Sequence, residues 1–118
     1  MYKDKKKEKV IMGLDAQLRL RHKETGLLID LDNYNGRTAF AFLREFMEAR
    51  NLYGEFVILT DEDVKFLLEK GLESFKQLGY YPGDIVEQSW GNVGFLKQLA
   101  LSDFYKRFGY VLEVSCDW

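Results

Sequence analysis

The chain has 118 residues, a net charge of −2, a hydrophobic fraction of 47%, an aromatic fraction of 15%, one cysteine and one histidine. That is enough chain to bury a core of its own, and one cysteine excludes both a disulfide framework and a cysteine-rich zinc site. One histidine excludes a multi-histidine metal site within the chain, and no apolar stretch approaches the roughly 20 residues of a membrane-spanning helix.

The charge is unevenly placed. Residues 1–9 carry five Lys against Asp4 and Glu8, a net of +3, and the rest of the chain is at −5. Residues 1–9 read as a basic, flexible, solvated arm. Lys and Glu codons are purine-rich, as bacterial ribosome-binding sites are. Met12 is therefore a candidate natural start and residues 1–11 a candidate extension.

Residues 10–32 alternate with period two, the spacing of a half-buried strand. Met12, Leu14, Ala16, Leu18, Leu20 and His22 fall on one side, and Gly13, Asp15, Gln17, Arg19 and Arg21 on the other. Leu27, Ile29 and Leu31 resume the pattern after a turn that ends in Gly26, where a positive φ costs little. An uninterrupted register places His22 opposite Leu27, Leu20 opposite Ile29, Leu18 opposite Leu31, Arg19 opposite Asp30 and Gln17 opposite Asp32.

Residues 33–37, Asn-Tyr-Asn-Gly-Arg, read as a turn-rich loop. The spacing then predicts a helix over 37–50, with Ala39, Phe40, Leu43, Phe46 and Met47 on its apolar face and Asn51 at its end. Phe42 lies off that face and marks a second contact surface. Residues 55–59 read as a strand, and Thr60 as the N-cap of a helix with acids in its first turn. Val64, Leu67, Leu68, Leu72, Phe75 and Leu78 form the stripe of that helix. Gly71 within it serves close packing or divides two helices, and Gly79 is a plausible end cap. Residues 80–84 are a turn around the only proline, and 84–92 are ambiguous between strand and loop. A third helical region over 92–108 offers Leu96, Leu99, Ala100, Phe104 and Phe108, with a break near Ser102 and Asp103. Residues 110–118 close the chain as a strand that alternates Tyr110, Leu112, Val114 and Cys116 with Glu113, Ser115 and Asp117.

The expected fold is α+β: a β-hairpin start and a mostly antiparallel sheet with about three helices on one face, in the order β-β-α-β-α-(β)-α-β. Residues 10–118 form the single globular domain.

The chain has no Walker loop, dinucleotide fingerprint, nucleophile elbow or zinc-protease helix. His22 reads as a strand-end residue beside a turn, and Cys116 as a small core residue. Asp15, Asp30 and Asp32 share the polar side of the hairpin and are the candidate catalytic carboxylates, able in principle to hold a divalent cation. Arg19 and Arg21 lie on the same side, where they could hold an anion or neutralise those acids, Arg19 pairing with Asp30. The structural pairing is preferred. Asp61, Glu62 and Asp63 read as helix-start acids. Arg19, Arg21 and Arg37, helped by Tyr34, make only a modest basic face, so nucleic acid is disfavoured as a partner. No cofactor or metal is expected.

Aromatic side chains off the apolar stripes suit a protein interface, where Tyr and Trp are common anchors. Tyr34, Arg37, Phe42, Tyr80, Tyr81 and Trp90 are the expected partner-binding residues, with Tyr53, Phe66 and Trp118 also expected at the surface.

Met12-Gly13-Leu14-Asp15 and its alternating continuation resemble the opening of a family of small phage and prophage proteins. In that family a Trp-Arg-Lys-x-Asn-like motif leads into an amphipathic helix. Here residues 33–46 occupy the comparable place without the Trp or the central Lys. Gly54-Glu55-Phe56-Val57 and the helix start after it resemble the family's next segment, so the likeness spans residues 12–70. It implies a phage or mobile-element origin and a bacterial cytoplasm, and carries over no catalytic residue. The expected function is a small non-enzymatic accessory protein that binds a host or phage protein, inhibition being one form of that action. The alternatives are a small metal-dependent or nucleotide-handling enzyme using the hairpin carboxylates, and a structural protein that self-associates through a sheet edge as a homodimer.

Overall fold

A computed structural model describes residues 14–79 and 93–118. The basic arm, Met12 and the segment 80–92, with Tyr80, Tyr81, Trp90 and the optional strand, lie outside the described residues. The elements are β1 (Asp15–His22), β2 (Leu28–Asn35), α1 (Ala41–Glu48), β3 (Val57–Ile58), α2 (Asp61–Gln77), α3 (Val93–Ala100), α4 (Ser102–Arg107) and β4 (Tyr110–Asp117). The four strands pair antiparallel in the order β2-β1-β4-β3, so the chain is α+β with a hairpin start.

The alternation read in β1 and β4 is the alternation of the core. Leu14, just ahead of β1, Ala16, Leu18 and Leu20 within it, and Leu112, Val114 and Cys116 from β4 are buried together with Phe40, Leu43, Phe75, Phe95 and Leu96 from the helical side. Each such large side chain removed from water contributes about 1.5–3 kcal/mol. Phe40 lies at the centre, its ring 5.1 Å from Phe95 and 5.9 Å from Phe75.

The hairpin turn forms as its sequence suggests. Gly26 has φ +76° and donates to the His22 carbonyl at 2.9 Å, while the His22 amide donates to Leu27 at 2.9 Å. Leu20 faces Ile29 and Arg19 faces Asp30. The register then breaks: Leu18 faces Asp32 and Gln17 faces Asn33, so Leu31 is the extra residue of a β-bulge. This corrects the uninterrupted register, and it also carries the strand through Asn33–Asn35, where a loop is expected. A single extra residue shifts every later side chain by one, which swings Tyr34 to the apolar face opposite Ala16.

α1 is shorter than its sequence pattern, beginning after a turn at 37–40. The turn that closes it runs to Asn51, whose φ is +57°, with Asn51 donating to Glu48 at 3.1 Å and Leu52 donating to Met47 at 3.0 Å. That is a Schellman closure with Asn as the left-handed residue. β3 keeps only two residues in the ladder. The segment around it is held to β4 by single bonds, Gly54 to Cys116 at 3.0 Å and Leu59 to Leu112 at 2.9 Å. α2 starts with a complete capping box, Thr60 and Asp63 each accepting from the other's amide at 3.1 Å. Asp therefore suffices where Glu is usual. α2 runs unbroken through Gly71, where an added Cβ would collide with Leu96 and come within 3.1 Å of Phe42. Close packing, not a helix break, is the reason for that glycine.

Candidate functional site

The polar face of the sheet is less polar than its alternation suggests. Glu113 on β4 is only 2% exposed. It sits opposite Arg19, and the Nε groups of both Arg19 and Arg21 donate to its carboxylate, the Arg19 bond at 2.6 Å. Phe56, just ahead of β3, lies over the Arg19 guanidinium with its ring centre 3.6 Å away. Burial pushes the Glu113 carboxyl up, but the two guanidinium groups outweigh it and hold the carboxyl below the usual carboxylate range. The sequence expectation that Arg19 pairs with Asp30 is therefore corrected. Asp30 is the register neighbour of Arg19, but the central strand β4 supplies the carboxylate. Through their Nε groups both arginines already hold an anion of the chain itself.

The three hairpin aspartates do not converge. Asp15 faces Asn35 on one side and Asp117 on the other. Asp30 and Asp32 straddle the bulge and line a cleft of about 320 Å³ together with Gln17, Leu31, Asn33 and Phe56. Among the described residues no group of three or more His, Cys, Asp or Glu side chains is placed to hold a metal ion. At the start of α2, Asp63 closes the capping box and Asp61 takes Lys106 at 2.6 Å, so both serve as structural partners.

His22 and Cys116 have structural surroundings. His22 Nδ1 accepts from the Glu24 and Thr25 amides at 3.2 Å each, and its ring packs edge-on against Tyr110 with 4.9 Å between centres. It fastens the hairpin turn. Burial, with Asp117 and Asp15 adding to it, pushes the Cys116 thiol up to about 12, far from a nucleophilic thiolate at neutral pH.

Of the expected partner-binding residues, Arg37 is exposed, while Tyr34 and Phe42 are buried. Both are corrections. The bulge turns Tyr34 inward, where its ring meets Phe95 edge-on at 5.5 Å. Burial first, then Asp32 and Tyr105, raise its phenol to about 12. Phe42 does mark a second contact surface, but an internal one against Gly71 and Phe95.

Tyr53 and Phe66 are exposed as expected, and further large apolar side chains are exposed beyond the expected set. Leu27 is 55% exposed and Ile29 39%, while Phe104 is 49% and Phe108 61%. All four are on apolar stripes that the sequence would bury. A bond from the Lys23 amide to the Gly109 carbonyl at 2.8 Å ties the hairpin turn to the α4–β4 turn, so the segments that carry these side chains meet at one end of the molecule. Phe104 and Phe108 lie against each other, ring centres 5.2 Å apart. The sequence marks the break between α3 and α4 but not its consequence. The break rotates the helical phase, so Tyr105 packs against the core and the two Phe side chains turn outward. A second concavity, of about 460 Å³ between α1 and α2, is floored by Phe46 and Phe66. Its Arg50 already lies 3.7 Å over Phe46 and reaches Asp63 at 3.5 Å. Among the described residues, no helix is long and apolar enough to cross a membrane. Comparison with protein-family models, with curated proteins and with solved structures found no significant match.

Proposed function

We propose that this chain is a small non-enzymatic accessory protein of phage or prophage origin, working in the cytoplasm of the bacterial host by binding another protein. The observation that carries the binding reading is the end of the molecule formed by Leu27, Ile29, Phe104 and Phe108, four large apolar side chains at 39–61% exposure. Apolar groups gathered at one end of a small domain are what a docking surface needs. The Phe104–Phe108 ring pair supplies rigid anchors of the kind that dominate interface energetics. The origin and the compartment are supported by the sequence resemblance of residues 12–70 alone. Arg37 stays a candidate contact, whereas Tyr34 and Phe42 leave the proposed surface. Inhibition of the bound protein is one form that this action takes.

The test is copurification from nuclease-treated host lysate, run in parallel with tagged wild-type protein and with a Phe104→Ser, Phe108→Ser double variant. The wild type is expected to retain one dominant partner at near-equal stoichiometry. The double variant, with an unchanged melting temperature, should retain at least about tenfold less. Equal capture by both proteins contradicts the assigned surface, and capture abolished by nuclease contradicts a protein partner.

A further inference from the structure

We infer that the outer edge of β2 is a strand-capture site for a basic, extended segment of a partner protein. This deepens the proposed function and rests on its reading of the chain as a binding protein. β1 and β4 each pair on both sides, but among the described residues no strand pairs with the outer side of β2. The His22 amide donates to Leu27. By the alternation of an antiparallel ladder, Ile29 then turns its backbone groups inward to Leu20, while Leu28 and Asp30 turn theirs outward. An edge that no described strand pairs along Leu28–Asp30 is a template for another strand.

Edges are ordinarily protected by lysine, by proline or by brevity. β2 is eight residues long and contains neither Lys nor Pro. Its only charges are Asp30 and Asp32, both exposed, and both line the cleft beside the bulge, which has Phe56 as its aromatic wall. A second copy of the chain is a poor occupant, because antiparallel self-pairing would bring the four aspartates of two edges together without a cation. A strand bearing Lys or Arg complements them. Beside Leu28 (43% exposed) and Ile29 (39% exposed), an apolar residue of the incoming strand is also accommodated. The partner segment is therefore an extended stretch in which apolar residues alternate with Lys or Arg, pairing with Leu28–Asp30 and reaching the cleft with a cationic side chain.

The probe is a labelled peptide of about ten residues alternating Val with Lys and Arg, followed by fluorescence anisotropy at low salt. Two control peptides accompany it, one with Glu replacing the basic residues and one with a central Pro. The wild-type protein is expected to bind the basic peptide and neither control. Asp30→Asn with Asp32→Asn should weaken binding at least about tenfold, and raised salt should weaken it too. Leu28→Pro removes an outward amide and should abolish binding. If Leu28→Pro lowers the melting temperature, the two Asn substitutions carry the test. No binding by the wild type, equal binding of the Pro-interrupted peptide, or binding indifferent to the aspartates each overturns the inference. Partner copurification that is lost with Phe104→Ser, Phe108→Ser but survives Leu28→Pro would leave the protein-binding reading standing and remove strand capture alone.

Discussion

β2 and β4 are both eight residues long and both pair antiparallel with β1, yet one is mostly exposed and the other mostly buried. β4 has a partner on each side and helices over its apolar face, so even its outward Glu113 and Ser115 are buried. Among the described residues β2 has one partner strand, and it carries a bulge. Of its side chains, only Tyr34, beyond the bulge, is fully enclosed. Local pattern made these two strands. Position in the sheet decided that one is core and the other is available surface.

The largest break in that comparison is a matched pair of truncations. Leu112→Ala in β4 should cost about 3 kcal/mol, and Leu28→Ala in β2 should stay within about 0.5 kcal/mol, by urea denaturation. Similar costs for the two would mean that the β2 edge is covered. Next comes the buried carboxylate. Glu113→Gln should cost about 2–3 kcal/mol, somewhat less than a fully buried broken pair, because the side chain of Arg21 is 37% exposed. The sign with pH follows from a carboxyl held below its ordinary value. The stabilisation is complete above that ordinary value, shrinks as pH falls through it, and is gone below the lowered folded-state value. Glu113→Gln should therefore flatten the acid limb of the stability profile. An unchanged acid limb would show that the two arginines do not hold the carboxylate.

Gly71→Ala weighs a gain in helix propensity of about 1 kcal/mol against a collision with Leu96 and Phe42. Overpacking should prevail, for a net loss of about 1–2 kcal/mol. A stabilised variant would place α2 farther from its neighbours. The last effect is confined to alkaline pH. Tyr34 ionises at about 12 when folded and near 10 when unfolded, so stability should fall as pH rises between those values. Tyr34→Phe should remove that part of the loss, as followed by circular dichroism. Persistence of the full alkaline loss in that variant would count against a buried Tyr34.

β1 and β4 were legible in the sequence because both keep strict alternation over a continuous apolar face. The N-cap at Thr60 and the turn at Gly26 were legible because their chemistry is local. The bulge at Leu31 was not, since nothing in the composition of residues 30–33 marks an extra residue, and the errors at Tyr34 and at the supposed 33–37 loop descend from it. Phe104 and Phe108 were misplaced for a related reason: a one-residue helix break resets the phase. Glu113 was hidden because alternation says which face a side chain takes, not whether that face is covered. The candidate surface was thus less legible than the fold. It consists of apolar residues that tertiary packing leaves uncovered.

The most direct measurement is residue-resolved amide hydrogen exchange of the β2 edge, in the free protein and with the basic peptide bound. In the free protein the Leu28 and Asp30 amides should exchange quickly while the Ile29 amide and those of β4 are protected. Adding the peptide should slow Leu28 and Asp30 selectively. Slow exchange at Leu28 and Asp30 without any ligand would mean that the edge is already paired and would contradict its role as the open binding strand.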